Sequence, residues 1–142
     1  IDARRCLAWL VQAEGTFPME FREALGNRVY GCDECQEVCP PSKRAPAAAQ
    51  AVEGDAWVDL VAMLEVDDDE LLARHGRWYI ARRDPRFLRR NALVAIGNAA
   101  RPDDPTTRAA VARYVDGDDE LLAEHARWAL ARLDARGSAV DA

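Results

Sequence analysis

The sequence has one lysine among its 19 basic residues, no cysteine after position 39 and no apolar run near the roughly 20 residues that a membrane-spanning helix needs. No basic stretch leading into an apolar one appears, so nothing suggests secretion, and a cytoplasmic protein is expected in preference to a membrane or exported one. Bulky apolar side chains are also scarce. Leu, Ile, Val and Phe make up about 21% of the 142 residues, close to the level at which chains stay disordered. Alanine fills the gap with 27 residues, so any core must be built from small side chains and close helix contacts. No segment alternates apolar and polar residues for long, which excludes a sheet and leaves an all-α chain. The net charge of −6 excludes a protein that coats nucleic acid with its whole surface. The first residue is Ile1 and not Met, as expected of a fragment or a processed product.

What is present divides the chain in two. Residues 1–45 hold all four cysteines, residues 46–54 form an alanine-rich linker without apolar periodicity, and residues 55–142 read as successive amphipathic helices. In the first part the pattern predicts a helix from Asp2 to about Glu14, stopped by Gly15. A shorter helix follows with Pro18 in its first turn, ending before Gly26, and Pro40-Pro41 blocks any helix running on from Cys39. In the second part the segment Asp68–Arg82 returns at Asp118–Arg132, fifty residues later, with eleven of fifteen positions identical. Each copy opens with acids suited to the positive end of a helix. Each then sets Leu71, His75 and Trp78, or Leu121, His125 and Trp128, at i, i+4 and i+7 on one stripe, which predicts packed and not ligand-binding histidines. Further helices are predicted over about 84–100 and 104–116. Helix pairs at this period predict a HEAT-like α-solenoid.

The cysteines are Cys6 and then Cys32-x2-Cys35-x3-Cys39-Pro40. Tight spacing and an intracellular setting argue against disulfides. Four thiolates can bind zinc, although zinc ribbons show two separated Cys-x2-Cys knuckles and only one is present. The x3 gap followed by proline instead matches the tail of the bacterial iron–sulfur run, where soft thiolates hold iron and the cysteine before the proline ligates a second cluster. Tyr30 either shields this site or packs beneath it.

Asp2-Ala3-Arg4-Arg5-Cys6-Leu7-Ala8-Trp9-Leu10, followed by Gly26-Asn27-Arg28-Val29-Tyr30-Gly31-Cys32-Asp33-Glu34-Cys35-Gln36-Glu37-Val38-Cys39-Pro40, resembles the iron–sulfur region of epoxyqueuosine reductases. Phe87-Leu88-Arg89-Arg90-Asn91-Ala92-Leu93-Val94-Ala95-Ile96-Gly97-Asn98 is similar to their carboxy-terminal HEAT-like domain. The resemblance implies a small ferredoxin-like helical segment followed by helical repeats, in a protein whose amino-terminal domain binds cobalamin and whose clusters are two of the 4Fe–4S type. It implies monomeric action on the anticodon region of tRNA, reducing epoxyqueuosine to queuosine with electrons from an external donor. Cys6, Cys32 and Cys35 would then ligate one cluster and Cys39 the other, so that the four cysteines supply half of the eight thiolates two such clusters take. Cobalamin site and catalytic acid would lie outside this chain, which alone should not turn over substrate.

From Leu71 to Arg101 there are eight arginines and one acid, a local balance of +7. Arg82, Arg83, Arg86, Arg89 and Arg90 crowd one helix boundary, and Arg82, Arg86 and Arg89 can share a helix face and pair phosphates. With the resemblance in view, these five are the expected tRNA contacts; without it, a solvated face paired with the acidic run Asp67–Glu70 is the favoured reading. Two other readings compete with the enzyme. One is a HEAT-like protein-interaction scaffold with a structural zinc or orphan cysteine site, and the other is the same fold serving a different cobalamin-dependent reduction.

Overall fold

A computed structural model describes residues 2–44 and 57–140, so the expected linker at 46–54 lies outside the described residues. All regular structure among the described residues is helical.

At the amino-terminal end the Asp2 carboxylate accepts from the Arg4 N–H and closes a single 3-10 turn, Ala3–Arg5. The long helix expected here is not formed. Cys6 is extended (φ −81°, ψ 124°), and α1 covers only Leu7–Leu10. The chain leaves helical geometry after Val11 because the carbonyls of Leu10, Val11, Ala13 and Gly15 take side-chain donors from a distant helix instead. Helix α2, Met19–Leu25, starts after Pro18 and stops at Gly26, whose φ of 60° suits a residue without Cβ. Two short helices follow, α3 (Glu34–Glu37) and α4 (Pro40–Arg44). The two prolines do stop α3, yet they also start α4, since a first turn needs no N–H from them.

The second part contains α5 (Leu60–Glu65), α6 (Asp68–Arg74), α7 (Arg86–Ala99), α8 (Pro105–Val115) and α9 (Glu120–Val140). Asp59, Asp67 and Asp104 cap α5, α6 and α8 by accepting main-chain N–H groups. Helix α7 is the centre: it packs against α9, α5 and α2, and every residue from Phe87 to Gly97 is buried. Its contact with α9 is close because Gly97 lacks a side chain. A Cβ there would lie 2.8 Å from Trp128 Cζ3 and 3.0 Å from Ala129 Cα. This is where the alanine-rich composition acts, with Ala92, Ala126 and Ala129 fully buried along the same seam.

The two copies of the repeat do not fold alike. Leu121, His125 and Trp128 fall on one continuous helix, but α6 ends at Arg74, with His75 as its C-cap. Gly76 stands where the second copy has Ala126, and the chain leaves the helix there, running extended at Ile80 (φ −121°, ψ 116°) into a 3-10 turn, Ala81–Arg83. His75 and Trp78 still meet, as a stacked pair 4.4 Å apart.

Candidate functional site

Cys6 lies at the start of α1, Cys32 in the loop before α3, Cys35 within α3, and Cys39 between α3 and α4. All four thiols are free; Cys6, Cys32 and Cys39 are half-buried and Cys35 is exposed. Inside the eight-residue run from Cys32 to Cys39 the N–H groups of Gln36 and Glu37 donate to Asp33 O, that of Val38 to Glu34 O and that of Cys39 to Gln36 O, and the Gln36 side chain donates to Asp33 at 2.8 Å, while Glu34 pairs outside the run with Arg28. Gly31 precedes it at φ 75°, with open space where a Cβ would stand, so the main chain beside Cys32 is accessible. No three Cys, His, Asp or Glu side chains converge as a ready cation cage among the described residues. As a donor set, however, four soft thiols fit iron–sulfur chemistry.

The long-range polar contacts of this region lie at its base. Asn91 Nδ2 donates to the carbonyls of Val11 (2.8 Å) and Val29 (3.1 Å), tying the segments on either side of α2 to α7. Arg90, 1% exposed, donates to Ala13 O at 2.8 Å, to Leu10 O at 3.2 Å, to Val11 O at 3.3 Å and to Gly15 O. Its guanidinium also lies over the rings of Phe17 and Phe87. Burial, then the proximity of Arg22, pulls its pKa down to about 10, which still leaves it charged at neutral pH. Further along α7, Asn98 donates to Arg22 O at 2.6 Å and Gly26 O at 3.1 Å.

A second clamp comes from α9. The Phe17 N–H donates to His125 Nε2 at 3.1 Å, and Arg22 reaches the same nitrogen at 3.2 Å as well as Glu124 at 2.8 Å. Two donors on Nε2 leave the ring proton on Nδ1, which donates to Leu121 O at 2.6 Å. The apolar packing agrees: Leu10, Val11, Phe17 and Leu25 form a cluster with Val94 of α7, while Val29 enters the main core. Sequence reasoning missed Arg22, Arg90, Asn91, Asn98 and His125 as the residues that seat the cysteine region. No local signal marked Arg90 or Asn91, since the same helix also carries Arg86, Arg89 and Asn98.

The five arginines expected on one surface are therefore separated. Arg89 and Arg90 are not surface cations. Arg89 is 7% exposed, paired with Asp68 and donating to Val66 O at 2.8 Å, while Arg90 is wholly engaged beneath the cysteine segment. Two successive arginines on one helix cannot both face water when that helix is buried on all sides. The single face expected for Arg82, Arg86 and Arg89 does not form either, because Arg82 lies on the 3-10 turn before α7. Arg86 is half-exposed between Asp84 (2.6 Å) and Asp119 (3.2 Å), which hold its pKa above the ordinary arginine value. Arg82 is 77% exposed and pairs with Glu14 at 2.8 Å; Arg83 is exposed and reaches Gly76 O. Both have positive φ, 53° and 56°, unusual for residues with a Cβ.

Tyr30 packs. Its ring stacks on Trp78 at 4.6 Å, with an interplanar angle of 5°, and its hydroxyl accepts from the Tyr79 N–H at 2.8 Å. The loop entering Cys32 is thereby bonded to the segment entering the arginine turn.

Against known proteins, residues 1–42 match a family model described as a 4Fe-4S double cluster binding domain. The epoxyqueuosine reductase of Vibrio cholerae is 40% identical over 104 residues, covering 70% of this chain and 28% of that protein. That of Escherichia coli K12 is 36% identical over 127 residues, 78% of this chain and 30% of that protein. A crystal structure of epoxyqueuosine reductase with an epoxyqueuosine-modified tRNA-Tyr stem loop superposes with a TM-score of 0.77 at 29% identity, covering 94% of this chain and 36% of that one. The chain belongs to the epoxyqueuosine reductase family. It spans less than a third of the curated relatives it matches. The Bacillus subtilis epoxyqueuosine reductase structure aligns over the same 94% of the chain with a TM-score of 0.76, so the likeness includes both the cysteine region and the helices that seat it. No helix among the described residues is long and apolar enough to cross a membrane.

Proposed function

We propose that this chain is the electron-transfer and tRNA-gripping portion of a cytoplasmic cobalamin-dependent enzyme that reduces epoxyqueuosine to queuosine in tRNA. Cys6, Cys32 and Cys35 ligate one 4Fe–4S cluster and Cys39 a second, with the remaining thiolates contributed by residues not present in this chain. The clusters, when bound, carry single electrons from an external donor toward cobalamin, which the rest of the enzyme holds. The work of this chain's own residues is placement. Arg90 and Asn91 hold the segments flanking Cys6 and Cys32 by their main-chain carbonyls, and Arg22 with His125 holds the segment between them. The Cys32–Cys39 run is held by its own short-range bonds and not by these clamps, so that ligand binding itself brings its thiols together. Of the cationic residues, Arg82, Arg83 and Arg86 meet the tRNA backbone, on a HEAT-like helical scaffold.

One observation carries this reading: four free thiols on a segment matching a double-cluster domain, seated by buried polar clamps on the helical part. Iron, sulfide and zinc analysis after anaerobic reconstitution of the complete protein tests it. About eight irons with sulfide is the expected result for two tetranuclear clusters. One zinc without iron would overturn it in favour of a structural knuckle.

A further inference from the structure

We propose that Tyr79 is a stacking platform for an unpaired nucleobase of the RNA loop whose backbone Arg82 and Arg83 contact. The proposal rests on the tRNA reading above and adds to it the residue that would distinguish a single-stranded loop from a duplex stem.

The first repeat copy departs from the second where this platform stands. In the second copy the helix runs on and Ala129, equivalent to Tyr79, is fully buried. In the first, the helix stops at His75 and the chain becomes extended. An extended chain sends successive side chains to opposite sides, and Trp78 and Ile80 pack inward against the core while Tyr79 is left 64% exposed. A large aromatic at that position is not required for packing, since its neighbours already fill the core.

The main chain at Tyr79 is tied down. Its N–H is bonded to the Tyr30 hydroxyl at 2.8 Å, and Trp78 beside it stacks with Tyr30 at 4.6 Å and with His75 at 4.4 Å. On an anchored backbone a tyrosine ring has only two side-chain torsions to fix when a base stacks on it, and stacking needs no particular base.

The third observation is the charge beside it. Arg82 and Arg83 follow within four residues, both exposed and both in the left-handed region on successive positions, on a turn with Ile80 and Ala81 buried at its start. Backbone strain of this kind is retained where something else depends on the geometry. The present partners of the two arginines, Glu14 and the Gly76 carbonyl, are solvent-exposed contacts that phosphates can displace. An aromatic face flanked by cations is the arrangement that binds single-stranded nucleic acid, where bases are free to splay out.

The test is binding of an unmodified anticodon stem-loop RNA carrying 2-aminopurine in its loop to the full chain, against a fully paired RNA of equal charge. Tyr79→Ala is expected to weaken stem-loop binding by about 5- to 150-fold and to abolish the stacking quench of the probe, with duplex affinity unchanged. Tyr79→Phe, which keeps the π-face, is expected to bind within about twofold of the native chain. The salt dependence should be unchanged by Tyr79→Ala and should fall by about one unit of slope for Arg82→Ala or Arg83→Ala. Stem-loop affinity unchanged in Tyr79→Ala, or duplex affinity lost equally, overturns the platform while leaving the tRNA reading intact. Failure of the native chain to bind either RNA overturns both.

Discussion

The most exacting consequence of the clamp between α9 and the cysteine region is a pH dependence centred on His125. The imidazole is fully buried, and its Nε2 is an acceptor for the Phe17 N–H and for Arg22. Protonating Nε2 would remove that acceptor and set a cation 3.2 Å from a guanidinium. Burial is the main cause that lowers its pKa, with Arg22 and Arg90 adding to it. These outweigh the opposing bond to Leu121 O and the charge of Glu124, leaving the pKa at about 4 against 6.5 in an exposed histidine. Between those two values the unfolded chain binds the proton and the folded chain does not, so stability is full above pH 6.5 and falls as pH falls toward 4. At about 1.36 kcal/mol per unit, the gap is worth ~3 kcal/mol, of which about 2 is lost between pH 7 and pH 4.5. Urea unfolding of the native chain and of His125→Gln at several pH values isolates this contribution. Glutamine keeps an acceptor for Phe17 and cannot titrate, so carboxylates that lose their partners at low pH affect both chains alike. The native chain is expected to lose about 2 kcal/mol more than the variant over this interval. Parallel pH profiles would refute the assignment of His125 as a neutral acceptor.

Two further results follow from the packing around α7. Arg90→Met leaves the carbonyls of Leu10, Val11, Ala13 and Gly15, the first two of them buried, without these donors, at a cost of about 3 kcal/mol, and Arg90→Lys restores little because one ammonium cannot span four acceptors. Faster proteolysis and amide exchange over residues 10–17 should accompany the loss, and native stability in Arg90→Met would show the clamp to be idle. The glycines of α7 and α9 should respond oppositely to alanine. Gly97→Ala drives a Cβ into Trp128 and the α9 backbone and should lower stability by about 1–3 kcal/mol, despite alanine's better helix propensity. Gly137→Ala, whose Cβ would meet Pro102 Cβ at an ordinary 3.4 Å, should raise it by about 0.5–1 kcal/mol. Thermal melts of the two variants check the pair, and a shift of the same sign in both would contradict the close α7–α9 approach.

How far the sequence could be read depended on whether the deciding interaction was local. Caps are local: an aspartate bonds N–H groups two or three residues ahead, so the start of α8 followed from Asp104, and the acids expected to open the repeat copy at Asp68 lie in the first turn of α6, whose cap is Asp67. Gly26 stopping α2, the all-helical class, and the cysteine spacing with its proline are of the same kind, and the spacing together with the family resemblance pointed to iron–sulfur chemistry. The burial of Arg89 and Arg90 was not legible. Nothing within a few residues of either tells a surface arginine from one whose guanidinium replaces the helix bonds of a segment nearly eighty positions away.

The repeat marks the boundary between the two kinds of knowledge. Eleven identities in fifteen positions established by themselves an internal repeat whose copies share an acidic helix start. Only the tertiary structure decided that one continues as a buried helix while the other unwinds at His75 to place Trp78 under Tyr30 and Tyr79 in solvent. The reason is physical: helix propensity differs by about 1 kcal/mol between Gly76 and Ala126, a margin that packing against another part of the chain readily overrides. Local chemistry selects the elements, and the contacts that settle their ends, their exposed faces and the seating of the cysteines come from residues far apart in sequence.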